Sequence, residues 1–322
     1  MSRLDAHHHV RRPASAPPSA TGPGPRRRVH EWLDAPGMAP LRRDFTLADL
    51  APVALAAGID RTVPVQVLPD IHETAEFLML ATAGDVIAGV VSWADLASND
   101  LAGTLHALRA APGGDHQVCL GHLMQGEPDW GRLNRPTVRR GLRTVAQAGL
   151  TYDVLVVPHQ LLAVVTAVRE LPELTFVLDH LSKAPIARGE LQPWASLIRE
   201  LAALTNVFCK LSGMVTEAEW HRWSVAALRP YADVLLDAFG PERVMFGSDW
   251  PVCPLAASYE EVVDAAEALP AELTAAERSH VFAVTAERAY GLGERDGRGR
   301  AGDGGPVGLA GEGAPRLRAV RA

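Results

Sequence analysis

The segments Asp5–His9 (DAHHH) and Phe246–Pro251 (FGSDWP) lie near opposite ends of this 322-residue chain, and together they decide the predicted fold. Each follows a short apolar or strand-like run, so each is expected to end a β-strand. Side chains two residues apart on a strand point to the same side, so His7 and His9 can contact one ion or one substrate oxygen together. A carboxylate from another strand end could complete the site. A closed barrel brings its first and last strands into contact, so the predicted fold would also place these two motifs in one site.

Strand-like runs rich in β-branched and apolar residues alternate with amphipathic stretches along the whole chain. The strand-like runs are Arg3–His7, Thr62–Val67, Val86–Trp93, Val118–Leu123, Tyr152–Val157, Thr175–His180, Val207–Ser212 and Arg243–Ser248. The helical stretches are Asp70–Thr82, Asp100–Ala111, Arg139–Ala148, Gln160–Arg169, Leu191–Leu204 and Arg229–Phe239. This alternation predicts the α/β class and a (β/α)8 TIM barrel. An open doubly wound sheet is the alternative, but it should offer a glycine-rich phosphate loop after an early strand, and the sequence has none.

Residues 1–294 are predicted to form one barrel domain, with two segments outside the alternating pattern. Residues 11–37 are rich in proline, which excludes a regular helix or strand, and we expect a loop insertion there. Because the insertion follows the first strand on the active-site face of a barrel, it is either a lid or an unstructured loop. Residues 295–322 are rich in glycine and are predicted to be a disordered tail.

The composition narrows the class of partner. The formal net charge is -7, and the one tight basic run is Arg26–Arg28, which argues against a nucleic-acid or anionic-membrane surface. No apolar run reaches the roughly 18 residues that span a bilayer, and no signal-peptide core follows the N-terminus. The three cysteines are far apart in apolar stretches, which predicts buried free thiols in a reducing compartment. We therefore expect a cytoplasmic protein with a small-molecule substrate and no nucleic-acid or membrane partner, as either a monomer or a homo-oligomer.

Titratable side chains end most of the predicted strands, which is where barrel enzymes carry their catalytic groups. These side chains are His7, His9, His122, Asp179, His180, Lys210 and Asp249. Because a buried charge without a partner is costly, such a set is expected to line one polar cavity. Asp179 alternates with His180 and is expected to face the opposite side of its strand. Lys210 either anchors a substrate carboxylate or hydroxyl or neutralises a nearby acid.

Four motifs in this order resemble the amidohydrolase superfamily. They are residues 5–9 (DAHHH), 176–185 (FVLDHLSKAP), 207–213 (VFCKLSG) and 246–253 (FGSDWPVC). They look most similar to the branch that holds sugar lactonases, such as L-fuconolactone and L-rhamnonolactone hydrolases, and the pyrone dicarboxylate hydrolases. The similarity runs from residue 3 to residue 293. It implies an amidohydrolase-like TIM barrel and hydrolysis of a cyclic ester.

The chain departs from the family pattern in three places. The predicted fifth strand supplies no histidine at its end, so a two-metal site is not expected. Relatives commonly place an arginine directly before the fourth-strand histidine, where this chain has Gly121, and this loss could change specificity or reduce activity. The segment after the first strand leaves Trp32 as the equivalent of an aromatic stretch in relatives. His8 stands where relatives often have glutamine and should face away from the site.

The resemblance implies hydrolysis of a sugar-derived lactone, with Asp249 and His180 as the catalytic residues. Asp249 would take a proton from the attacking water and help to protonate the leaving alkoxide, with a pKa raised towards neutrality by its apolar strand end. The histidines would polarise the carbonyl oxygen directly, without a metal, or through one divalent ion, preferably zinc. The implied metal ligands are His7, His9 and Asp249. The implied substrate-binding residues are His122, Lys210 and Trp32.

Two other functions fit the same motifs. A metal-dependent decarboxylase of the same superfamily would use the same histidines and aspartate to release carbon dioxide. A degenerate barrel would bind a sugar acid without turnover, which Gly121 and the altered first loop make conceivable.

Overall fold

A computed structural model describes residues 2–11 and 31–292 of the chain. Most of the predicted insertion at 11–37 and the whole predicted tail at 295–322 lie outside the described residues. Of that insertion, Arg11 pairs with Phe45 in an isolated antiparallel bridge, and Glu31–Asp34 forms a short 3-10 turn.

The described residues form eight parallel strands that follow one another in sequence order. They are β1 (Leu4–His8), β2 (Arg61–Pro64), β3 (Val90–Ser92), β4 (Gln117–Leu123), β5 (Thr151–Leu155), β6 (Phe176–Leu178), β7 (Val207–Leu211) and β8 (Val244–Phe246). Strands β3 to β8 form one continuous sheet, and β1 pairs with β2. Isolated parallel bridges, Thr62 to Ile87 and His8 to Trp250, join the two sheets at both edges. The predicted (β/α)8 barrel is therefore confirmed.

Helices connect the strands on the outside of the barrel. They are α1 (Leu47–Ala56), α2 (Ile71–Ala81), α3 (Leu101–Ala110), α4 (Pro136–Gln147), α5 (Leu161–Glu170), α6 (Trp194–Ala202), α7 (Met214–Glu217), α8 (Val225–Phe239), α9 (Tyr259–Ala268), α10 (Ala275–Ser279) and α11 (Thr285–Tyr290). All six predicted helices are present with shifted ends. Helix α4 begins at Pro136, where proline is pre-organised for the first helical position. Helix α8 begins after Ser224, whose side chain accepts a hydrogen bond from the backbone N–H of Ala227.

The core has two parts. The larger part lies between the strands and the surrounding helices. The smaller part draws buried residues from every strand except β5, and Tyr290 and Leu292 at the end of α11 pack against them. This second cluster therefore fills the barrel interior, and β5 contributes the buried carboxylate of Asp153 there instead of an apolar side chain.

The three cysteines are buried free thiols, as the sequence predicts. None of the helices within residues 2–11 and 31–292 has the length and apolar character that a membrane crossing requires.

Candidate active site

The carboxyl ends of the strands surround a cavity of about 410 Å³. Six of the seven titratable side chains predicted at strand ends line this cavity. They are His7, His9, His122, Asp179, His180 and Asp249. Lys210 does not line it. A volume of this size is within the usual range for small-molecule sites.

The H-x-H pair of β1 converges as the strand alternation predicts. The Nε2 atoms of His7 and His9 are 3.3 Å apart. His9 Nδ1 lies 2.9 Å from the carbonyl oxygen of Val65, to which it donates its proton. This hydrogen bond holds the His9 ring with its Nε2 atom towards His7. His8 is buried and does not line the cavity.

Asp249 is held against β1 by its own backbone and by Asp5. The backbone N–H of Asp249 donates to the carbonyl oxygen of His7 at 2.8 Å. The buried carboxylate of Asp5 accepts hydrogen bonds from the N–H and the hydroxyl of Ser248, at 2.8 and 2.6 Å, and from the Tyr259 hydroxyl at 3.0 Å. Asp249 itself has a φ of 57°, in the left-handed region that aspartate tolerates better than most residues. The first and last strands thus fix the direction of the Asp249 carboxylate.

The carboxylate of Asp249 faces two imidazoles. Its Oδ1 atom is 3.6 Å from His9 Nε2 and 3.8 Å from His180 Nε2. Burial by itself would raise the pKa of Asp249, but the nearby imidazoles of His180 and His9 hold it below its usual range. The prediction of a pKa raised towards neutrality was therefore wrong, because it considered the apolar strand and not the histidines opposite.

A left-handed turn sets the direction of the His180 side chain. Residues His180, Leu181, Ser182 and Lys183 all have positive φ, which ends β6 at Leu178. His180 Nδ1 is 2.8 Å from the Ser212 hydroxyl, and burial lowers the pKa of His180. Gly213 leaves room for the ring, because a Cβ there would be 2.8 Å from His180 Nδ1.

The same turn overturns the expectation that Asp179 faces away from His180. Both residues line the cavity, because the strand alternation no longer applies after Leu178. Asp179 Oδ1 is 3.3 Å from His7 Nδ1. Lys210 and His7 hold the pKa of Asp179 below its usual range, although burial opposes them.

Lys210 lies beneath the site, fully buried. Its Nζ is 2.5 Å from Asp153 Oδ2, 2.9 Å from Asp179 Oδ1 and 3.1 Å from His7 Nδ1. These carboxylates raise the pKa of Lys210 against the effect of burial, so the ammonium stays charged. The predicted substrate-binding role of Lys210 is corrected, because all of this side chain is enclosed by protein. The alternative, that it neutralises nearby acids, describes its contacts.

His122 and Trp32 both line the cavity. His122 Nδ1 accepts a hydrogen bond from Trp93 Nε1 at 3.0 Å, and its Nε2 is 2.7 Å from Glu127 Oε1. Since an imidazole that accepts at Nδ1 and donates at Nε2 is neutral, these contacts agree with the pKa of His122, which burial lowers. Trp32 keeps 39% of its surface exposed.

Sequence reasoning missed several residues of the site. They are Arg11, Gln66, Asp153, Lys183, Glu217 and Trp220, all of which line the cavity. Two of them carried a usable signal, because Gln66 and Asp153 are polar residues inside strand-like runs. Asp153 lies in the middle of β5 and not at its end, so position at a strand end does not identify it.

The arrangement fits a single divalent ion. One ligand atom each from His7, His180 and Asp249 lies within 4.8 Å of the others, and His9 Nε2 adjoins the group. Imidazole nitrogen and carboxylate oxygen are the donors that zinc accepts in catalytic sites. The hydrogen bond from His9 Nδ1 to a backbone carbonyl is the kind of contact that orients a histidine ligand.

Comparison with known proteins agrees with this geometry. The family model described as amidohydrolase matches residues 4–292. An L-fucono-1,5-lactonase of Burkholderia multivorans is 37% identical over 303 residues, which cover 91% of this chain and 97% of the relative. A second L-fucono-1,5-lactonase, from Burkholderia ambifaria, is 35% identical over 263 residues, 80% of this chain and 83% of the relative.

Solved structures give the same result. A crystal structure of an amidohydrolase from Burkholderia multivorans with bound zinc superimposes with a TM-score of 0.82, at 36% identity, and covers 91% of this chain and 100% of that one. The resemblance indicated by the four motifs is confirmed. The chain belongs to the amidohydrolase family.

Proposed function

We propose that this amidohydrolase hydrolyses the ring ester of a sugar-derived lactone such as L-fucono-1,5-lactone. The observation that carries the proposal is the convergence of the His7, His9 and His180 imidazoles on the carboxylate of Asp249, inside one cavity of about 410 Å³. The two relatives named for this activity match most of the chain and support the same substrate class.

In the proposed mechanism, Asp249 acts as the general base. Its lowered pKa keeps it ionised at neutral pH, so it can take a proton from a water molecule that attacks the ester carbonyl. The ring C–O bond then breaks, and the proton held by Asp249 passes to the leaving alkoxide. When no ion is bound, His180, oriented by Ser212, faces the negative charge that develops on the carbonyl oxygen.

The proposed ligands of a divalent ion are His7, His9, His180 and Asp249. When bound, such an ion supplies Lewis-acid polarisation of the ester carbonyl. His7 remains neutral, because burial and the charge of Lys210 lower its pKa, and a neutral imidazole is the form that binds a metal. The contact between His9 and Val65 keeps the His9 ring in its orientation whether or not an ion is present.

We also propose that His122 and Trp32 contact the substrate. His122 presents a neutral ring edge, held between Trp93 and Glu127, to the cavity. Trp32 and Trp220 offer flat apolar surfaces against which a sugar ring can pack.

No described contact favours the decarboxylase alternative. The likeness to a crystal structure of 2,6-dihydroxybenzoate decarboxylase is at 13% identity and shows the shared fold alone.

Acid release from a panel of lactones, followed with a pH indicator, tests the proposal. We expect L-fucono-1,5-lactone to be opened, and we expect Asp249→Asn to lower kcat by about 100- to 10,000-fold. The exposed Asp237→Asn substitution is the matched control and should leave kcat unchanged. Failure on every lactone, together with carbon dioxide release from an aromatic acid, would overturn the proposal. Unchanged turnover in Asp249→Asn would overturn the choice of base.

A further inference from the structure

Gln66 has a buried polar atom that the proposed mechanism does not use. The residue follows β2, and its backbone N–H donates to the carbonyl oxygen of Val91 at 2.9 Å, which fixes its place on the barrel. The side chain is only 2% exposed and lines the active-site cavity. Its Oε1 atom is buried and has no hydrogen-bond partner. A buried polar atom without a partner is unfavourable, so a ligand atom that pairs with it gains affinity.

Gly121 on β4 leaves space beside this amide. A Cβ atom at Gly121 would lie 3.1 Å from Val91 Cγ1, 3.6 Å from Gln66 Nε2 and 3.6 Å from the Cβ of Asp153, so a side chain there would crowd the amide of Gln66. Gln66, Gly121 and Asp153 all line the cavity, so a small substituent of a ligand can approach the amide of Gln66 beside the bare backbone of Gly121. Every other amino acid at position 121 would fill part of that space.

The groups around this space determine which kind of ligand substituent can bind there. The amide offers both an acceptor oxygen and donor hydrogens, which suits a hydroxyl group, since a hydroxyl also donates and accepts. A carboxylate would meet the acidic group of Asp153, while the nearest ammonium, that of Lys210, is enclosed by Asp153 and Asp179. Among the described residues that line the cavity, the lysine and arginine side chains are Lys183, which is paired with Glu217, and Arg11.

We propose that Gln66 and the space left by Gly121 form a subsite that binds a hydroxyl group of an uncharged, hydroxylated lactone. The inference rests on the proposed lactone hydrolysis and adds the residue that selects the substrate. Gln66 is a specificity-determining residue here, and the bond-breaking steps stay with Asp249.

The test compares three substrates with two enzymes. The substrates are L-fucono-1,5-lactone, δ-valerolactone, which has no hydroxyl groups, and a δ-lactone with a carboxylate substituent. The variant is Gln66→Met, which keeps the length of the side chain and removes the amide. We expect kcat/KM for L-fucono-1,5-lactone to fall by about 10- to 100-fold in the variant, mostly through KM, with δ-valerolactone changed by less than about twofold. The wild type should prefer L-fucono-1,5-lactone to the carboxylate-bearing lactone.

Controls separate the outcomes. Gln147→Met, at an exposed position on α4, should match the wild type on all three substrates, and thermal unfolding should show that Gln66→Met is folded. Equal losses on L-fucono-1,5-lactone and δ-valerolactone, no loss on either, or a wild-type preference for the carboxylate-bearing lactone would each overturn the subsite while lactone hydrolysis stands. A wild type that opens no lactone overturns both proposals.

Discussion

The Nζ atom of Lys210 lies 2.5 Å from Oδ2 of Asp153, with Lys210 fully buried beneath the active-site cavity and Asp153 at the cavity floor. Asp153 also accepts hydrogen bonds from the Tyr290 hydroxyl at 3.0 Å and from the Cys119 thiol at 3.0 Å. Through its contacts with Asp179 and His7, Lys210 connects this buried pair to the cavity wall. The floor of the site is therefore a charged network inside an otherwise apolar barrel.

Removing the lysine should destabilise the whole fold. Lys210→Met leaves two buried carboxylates without their cation, and we expect the free energy of unfolding to fall by about 3–5 kcal/mol, measured by urea unfolding. Lys183→Met is the matched control, since its pair with Glu217 keeps about a quarter of each side chain exposed. That variant should lose at most about 1 kcal/mol. Equal losses in the two variants would contradict a special role for the buried pair.

Gly213 should tolerate no side chain, because of both its backbone and its neighbour. Its φ is 65°, and a Cβ would lie 2.8 Å from His180 Nδ1. We expect Gly213→Ala to lower the free energy of unfolding by about 1–3 kcal/mol and to lower kcat as the His180 ring moves. Gly189→Ala separates the causes, because Gly189 has the same φ with nothing within 4 Å. The Gly189→Ala variant should lose stability through backbone strain alone and keep its kcat. A fall in its kcat that matches the fall in Gly213→Ala would show that the His180 contact is unimportant.

His8 should make the fold sensitive to acid. Burial, followed by repulsion from His9, lowers the pKa of His8 to about 3, and neither ring nitrogen has a hydrogen-bond partner. An unfolded histidine titrates near about 6.5, so the unfolded chain binds an extra proton between these two pH values. Neutral His8 therefore contributes its full stabilisation above pH of about 6.5. The free energy of unfolding falls as the pH decreases through that window.

The measurement is the free energy of unfolding between pH 7 and pH 4. His8→Leu should reduce the slope by up to about 1.4 kcal/mol per pH unit, because one proton fewer is taken up on unfolding. His106→Leu, at an exposed position on α3, should keep the wild-type slope. An unchanged slope in His8→Leu would mean that other groups govern the acid sensitivity.

Zinc should stabilise the protein if the four proposed ligands hold it. At a free zinc concentration 100 times the dissociation constant, the free energy of unfolding should rise by about 2.7 kcal/mol. His9→Ala removes one ligand and should shrink this rise, while His72→Ala, at an exposed position on α2, should not. Unfolding in zinc and in a chelator measures the difference. The same rise in His9→Ala as in the wild type would exclude His9 from the ligand set.

The barrel, the cavity histidines and Asp249 could be predicted from sequence, because strand alternation places His7 and His9 together and strand ends meet in a closed barrel. The prediction failed where local backbone geometry departed from a strand. Asp179 reaches the cavity because the left-handed turn at His180 breaks the alternation. The electrostatic environment of the site could not be predicted from sequence either. The low pKa of Asp249 and the enclosure of Lys210 both depend on residues that are distant along the chain.

The Asp5 carboxylate joins residues 243 positions apart when it accepts the hydrogen bond from the Ser248 N–H. Asp249, the proposed general base, is thus oriented by a residue of the first strand, and its direction is set only after the intervening strands are in place. A contact between such distant residues is among the last to be favourable during folding, because the connecting chain must first be ordered. Enzymatic turnover in this protein should therefore report the completed barrel, with no partly folded fragment able to act in its place.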